Sequence, residues 1–249
     1  TFSWGQHSIT ATGSGSAYTQ NFDSYDGNTL PANWTTTATQ AGYYNRNTAY
    51  VNTNQFYALR ENSSSTDKAF GGKLAANSGT CSGTGTRTLT FTVRNNTGTE
   101  INGFVITWNV EQYSQGQRAP SVTLSHNFGG TTTGTLATTA SQTGTDGNLS
   151  SIVLVASRSA TISGLTLANN ATGTFTFTFC TGSGSNNNGH IGVDDFSVYA
   201  TTASTNDIDS EIDGPVLAGQ PNPVLISSLV DTDAEAVRVF DFDVYDYGT

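Results

Sequence analysis

The stretch Gly173-Thr-Phe-Thr-Phe-Thr-Phe-Cys180 decides the fold class. Phe175, Phe177 and Phe179 alternate with Thr174, Thr176 and Thr178. An extended chain puts the three rings on one face and the three hydroxyls on the other, whereas a helix would scatter both around its axis. Leu89, Phe91 and Val93 repeat the pattern against Thr88, Thr90 and Thr92. Each stretch therefore reads as a strand with one buried face and one hydroxyl-rich outer face.

Working outward, further strands are expected at Tyr18–Phe22, Gln55–Arg60, Ile101–Tyr113, Ser121–Phe128, Ser151–Ser157 and His190–Tyr199. The first two patterns extend to Thr86–Asn95 and Gly173–Cys180. Turn signals separate them at Asn95-Asn-Thr-Gly98, Gly129-Gly130, Asp146-Gly-Asn148 and Gly182–Gly189. No window sustains apolar residues at helical spacing, and methionine is absent. Charged residues make up 11% of the chain, against about a quarter in an average domain. Many short strands joined by polar turns predict an all-β, antiparallel sandwich.

One strand breaks its own phase. Ile191 and Val193 share a face, and Phe196 and Val198 share the other. A β-bulge at Asp194-Asp195 would bring all four to one side and re-aim the two carboxylates. A strand buried on both faces is the competing reading.

Charge divides the chain near Thr201–Asn206. Up to that point nine acids stand against eight bases; beyond it ten acids stand against Arg238 alone. The expectation is a sandwich over residues 1–201, then an acidic C-terminal segment over 202–249. That segment would form a linker with a partial second β module, or an exchangeable strand around Val237–Tyr245. The run Asp207–Gly214 lacks the closing Glu of a calcium loop and reads as a solvated linker. Neither part is basic, so electrostatic capture of nucleic acid is not expected. No stretch approaches the ~20 apolar residues of a membrane span. The chain opens on Thr1 rather than Met, which reads as a mature, exported product. In an oxidising compartment Cys81 and Cys180 are a candidate disulfide.

Three segments carry a resemblance: Tyr18-Thr-Gln-Asn-Phe-Asp23-Ser-Tyr-Asp26 with Leu30-Pro-Ala-Asn-Trp34, Leu89–Gly98, and His190-Ile-Gly-Val-Asp-Asp-Phe-Ser-Val198. Over about residues 15–200 the chain resembles jelly-roll modules of secreted Bacteroidetes-type surface proteins, of the cleaved-adhesin and MAM-like kind. The resemblance implies a jelly roll with an adhesive or accessory role at the cell surface. It also implies first and last strands lying close, in some cases around a structural calcium. Asp23, Asp26, Asp194 and Asp195 are then the candidate ligands. The cysteines depart from the MAM pattern, so no MAM disulfide framework carries over.

Catalytic motifs are weak. The histidines are His7, His126 and His190. Gly79-Thr-Cys-Ser-Gly83 imitates a nucleophile elbow but precedes no helix. Glu111, paired with an Asp, would be needed for glycoside hydrolysis and reads instead as an ordinary strand residue. The expectation is a non-catalytic extracellular module whose partners are cell-surface proteins or copies of itself. Two alternatives accompany it: a fibre or surface-layer subunit joined by strand addition, and a glycan-binding or accessory domain of a larger secreted enzyme. For glycans, Tyr43 and Tyr44 beside Asn45 and Arg46 form the candidate exposed patch.

Overall fold

The computed structural model describes residues 5–46, 54–74, 87–144, 149–182 and 188–202. The chain divides into two units, Thr1–Ala203 and Ser204–Thr249. The acidic C-terminal segment, its strand around Val237–Tyr245, and Cys81 lie outside the described residues.

Fourteen strands are found among the described residues: β1 (His7–Ile9), β2 (Tyr18–Gln20), β3 (Trp34–Thr36), β4 (Thr39–Asn45), β5 (Gln55–Arg60), β6 (Ala69–Lys73), β7 (Arg87–Asn95), β8 (Ile101–Gln112), β9 (Ser121–His126), β10 (Thr131–Gly134), β11 (Ala137–Thr139), β12 (Val153–Leu167), β13 (Thr172–Cys180) and β14 (Ile191–Thr201). They form two packed sheets, an all-β sandwich. The six-stranded sheet runs β1-β7-β13-β9-β11, with β3 also on β7. The eight-stranded sheet runs β10-β12-β8-β14-β6-β5-β4, with β2 also on β14. From β7 onward consecutive strands alternate between the sheets, wrapping the chain around the core. The pairing is not wholly antiparallel as expected: β1 runs parallel to β7, and β4 parallel to β5. Both departures involve strands that the sequence reading had missed.

The alternating faces meet in the middle. Leu89, Phe91, Val93, Phe175, Phe177 and Phe179 from one sheet pack on Phe104, Ile106, Trp108, Val193, Phe196 and Val198 from the other, all buried. Ring edges dominate the contact: Phe177 meets Phe196 at 5.8 Å and Trp108 at 5.9 Å, both tilted toward T-shaped. Such geometry suits the ring quadrupoles. Trp34 is also buried, with its Nε1–H donating to the Tyr18 hydroxyl at 2.9 Å. Both tryptophans belong to the core.

The expected bulge is present. Asp194 stands opposite Asn109, but the next pair is Ser197 with Thr107, so two residues of β14 oppose Trp108 alone. Asp195 takes φ +48°, the left-handed conformation that Asp tolerates better than most residues. Ile191, Val193, Phe196 and Val198 consequently all join the core. The bulge also marks a change of neighbour. Ile191–Val193 pair with β6, whereas Phe196–Val198 pair with β2.

Candidate functional site

That change of neighbour gathers carboxylates. β2 runs antiparallel to β14 and ends at Gln20 opposite Phe196, so the chain continues toward the bulge and reaches Asp23. β6 arrives from the other side, with Asp67 two residues before its start. The two approaches are sewn together where the Lys68 N–H donates to Asp23 Oδ1 at 3.0 Å and Lys68 Nζ donates to the Asp23 carbonyl. Asp194 and Asp195 occupy the bulge. Glu111 comes from β8, opposite Gly192 on the same outer face of the sheet.

The group is held under electrostatic strain. Asp194 is 2% exposed, and burial pushes its carboxyl up to about 9, with Asp195, Glu111 and Asp67 adding repulsion. Its Oδ1 accepts the Asp195 N–H at 2.8 Å, which offsets part of the rise. Burial also raises Glu111, against a 2.6 Å hydrogen bond donated by the Tyr113 hydroxyl to Oε2; Asp67 and Asp195 raise it further. Asp67 is raised by burial, then by Asp23 and Asp195. Asp195 accepts from Asn109 Nδ2 at 2.8 Å, and Ser157 Oγ orients that amide through Oδ1 at 2.7 Å.

Tyr113 links the acids to an aromatic patch on the same face. Tyr44, Tyr57, Leu59, Ala69 and Tyr113 form a second buried cluster, against which Ile152 packs. His190 stacks on Tyr44 with centroids 3.9 Å apart. Ser114 Oγ accepts the His190 N–H at 3.0 Å and lies 2.8 Å from Nδ1. A serine beside an imidazole has the outline of a nucleophile and its base, but both residues are buried. Burial first, and Lys73 second, lower His190 to about 3. The pair ties the end of β8 to the start of β14.

Of the four expected calcium ligands, Asp23, Asp194 and Asp195 reach one neighbourhood. Asp26 does not join them: its Oδ1 accepts the Asn28 and Thr29 N–H groups at 2.8 and 2.7 Å, which lower its pKa. Asp23 is likewise engaged by Asn21 Nδ2 at 2.7 Å. Among the described residues no three His, Cys, Asp or Glu side chains are placed to hold a metal ion. The four residues therefore do not fit a calcium cage as they stand.

Tyr43 and Tyr44 do not form the exposed patch expected of them. Successive strand residues face opposite ways. Tyr44 is 2% exposed inside the second cluster. Tyr43 alone stays at the surface, 45% exposed, with the Arg60 guanidinium 4.1 Å from its ring centroid. Arg60 Nε also donates to Asn45 Oδ1 at 2.6 Å. Cys180 is disulfide-bonded; the sequence's other cysteine, Cys81, lies outside the described residues.

Comparison with protein-family models, with curated proteins and with solved structures returns no match. Among the described residues no helix is long and apolar enough to cross a membrane.

Proposed function

We propose that this chain is a non-catalytic extracellular surface module that adheres to cationic side chains of a cell-surface protein through the outer face of its eight-stranded sheet. The observation that carries the reading is the convergence of Asp23, Asp67, Glu111, Asp194 and Asp195 around the β14 bulge. Gathering and desolvating carboxyl groups strains their ionised forms and holds the proton on Asp194, and groups with perturbed pKa values concentrate where proteins act on other molecules. Lys or Arg from a partner would relieve that strain with charge-assisted hydrogen bonds. The adhesin-like opening and closing motifs support the same role, since they contribute Asp23, Asp194 and Asp195.

Binding of the labelled chain to the cells that produce it tests the reading. The double variant Glu111→Gln/Asp195→Asn is expected to bind about tenfold more weakly, a loss near 1.4 kcal/mol. Parent binding is expected to fall as salt is raised, as exposed charge contacts do. Equal binding by parent and variant, with circular dichroism unchanged, would overturn it.

A second reading rests on Tyr43. An exposed ring flanked by Arg60 and Asn45 offers stacking and hydrogen bonding to a sugar. A glycan array probed with parent and Tyr43→Ala chains should then show a signal that the variant loses; a blank array for the parent removes this reading.

A further inference from the structure

The sequence holds Asn-X-Ser/Thr triplets at Asn33, Asn62, Asn95, Asn148 and Asn170. Their surroundings separate them. Asn95 is fully buried, and its Nδ2 donates to the Thr99 and Leu167 carbonyls at 2.8 and 2.7 Å. Both amide hydrogens are used inside the fold, leaving no room for a substituent. Asn33 is half-buried, and the third residue of its triplet, Thr35, is fixed in β3 opposite Thr90. Asn170 is exposed, but its Oδ1 accepts from the Arg94 guanidinium at 3.2 Å and its third residue, Thr172, already pairs with Arg94 in the ladder. Asn148 lies outside the described residues.

Asn62 differs from all of these. Asn62, Ser63 and Ser64 are each exposed and form the turn between β5 and β6, outside any strand. The Asn62 Oδ1 accepts the Ser64 N–H at 2.9 Å, and among the described residues Nδ2 donates to nothing. A short polar turn of this kind can open to fit an enzyme without unpairing a strand.

We propose that Asn62 is an acceptor site for an N-linked glycan, with a lipid-linked oligosaccharide pyrophosphate as co-substrate. In the transfer, a bond forms between Nδ2 and the anomeric carbon. The bond from that carbon to the pyrophosphate oxygen breaks, the lipid pyrophosphate leaves with the electron pair, and Nδ2 gives up one proton. The modification presupposes the export assumed above. The test therefore imposes export, by expressing the full chain through a eukaryotic secretory pathway. Peptide mass mapping, before and after a glycosidase that leaves aspartate at occupied positions, is expected to find Asn62 modified and Asn95 unmodified. Asn62→Gln should remove one glycan from the intact mass without changing circular dichroism. An unmodified Asn62 in the exported chain, or a modified Asn95 in folded product, would overturn the proposal. Neither result bears on whether native cells export the chain.

Discussion

Phe177→Ala is expected to destabilise the sandwich by about 3–5 kcal/mol, the range for losing a fully buried aromatic ring. Phe177 is completely buried and lies within 6.5 Å, centroid to centroid, of Trp34, Trp108 and Phe196. Those rings come from both sheets, so the cavity would open at the layer interface. Trp34 cannot collapse into it without breaking its edge-to-face contact with Phe22, nor Phe196 without breaking its own with Phe91. The neighbour Thr176 points the opposite way, half-exposed, and its hydroxyl meets that of Thr90 at 3.2 Å across the strand pair. Thr176→Ala should cost under about 1 kcal/mol, the scale of one cross-strand pair. Urea unfolding of the two variants checks the contrast. Comparable losses from both would mean that the alternation does not set the buried face.

The alternation is also what made the fold legible. β7, β8, β9, β13 and β14 fall within a few residues of their expected limits because each carries period-2 stretches with large apolar residues, and β5 matches its limits as a short apolar run, Phe56–Leu59, buried at all four positions between Gln55 and Arg60. The phase break between Val193 and Phe196 foretold the bulge. What escaped were strands without that pattern. β6 reads Ala69-Phe-Gly-Gly-Lys73, and its glycines look like a turn. They are needed for close approach: a Cβ on Gly71 would sit 2.1 Å from the Ile191 carbonyl oxygen and one on Gly72 would sit 2.3 Å from that of Gln55. β12 runs on to Leu167 through serines and threonines whose partners lie on β8 and β10, which no local pattern reveals. The site was half legible for the same reason. Asp194 and Asp195 announced themselves through the bulge, and Asp23 through the resemblance. Asp67 and Glu111 joined them only through pairings distant in sequence. The Ser114–His190 contact, 76 residues apart, left no local signal, although both residues flank strands that were recognised.

Stability is expected to peak as a plateau between about pH 4 and 6.5, fall on either side, and lose its alkaline limb in Asp194→Asn. Asp194 keeps its proton in the folded chain up to about 9, whereas the unfolded carboxyl releases it near 3.8. Across that interval the folded state holds the extra proton, so the contribution of Asp194 is complete in acid and drains away as pH rises toward 9. His190 works in reverse. Its folded value is about 3 and its ordinary value 6.5, so the unfolded state holds the extra proton between them. Its contribution is complete above pH 6.5 and drains away as pH falls toward 3. Each slope is about 1.4 kcal/mol per pH unit, and where the windows overlap the two oppose each other. Of these two, Asp194 alone slopes above pH 6.5, giving a loss on the order of 3 kcal/mol by pH 9. Glu111, also raised by burial, acts in the same direction. Asp26 and Glu61, both held below their ordinary values by hydrogen bonds, add to the loss on the acid side. An asparagine at position 194 imitates the protonated acid and can still accept the Asp195 N–H through its own oxygen. Denaturant unfolding of parent and Asp194→Asn at pH 5.5, 7 and 9 measures the difference. Curves that diverge with rising pH place the buried proton on Asp194. Parallel curves would show that Asp194 is ionised in the folded chain, and the strain at the bulge would then have to be carried by its neighbours.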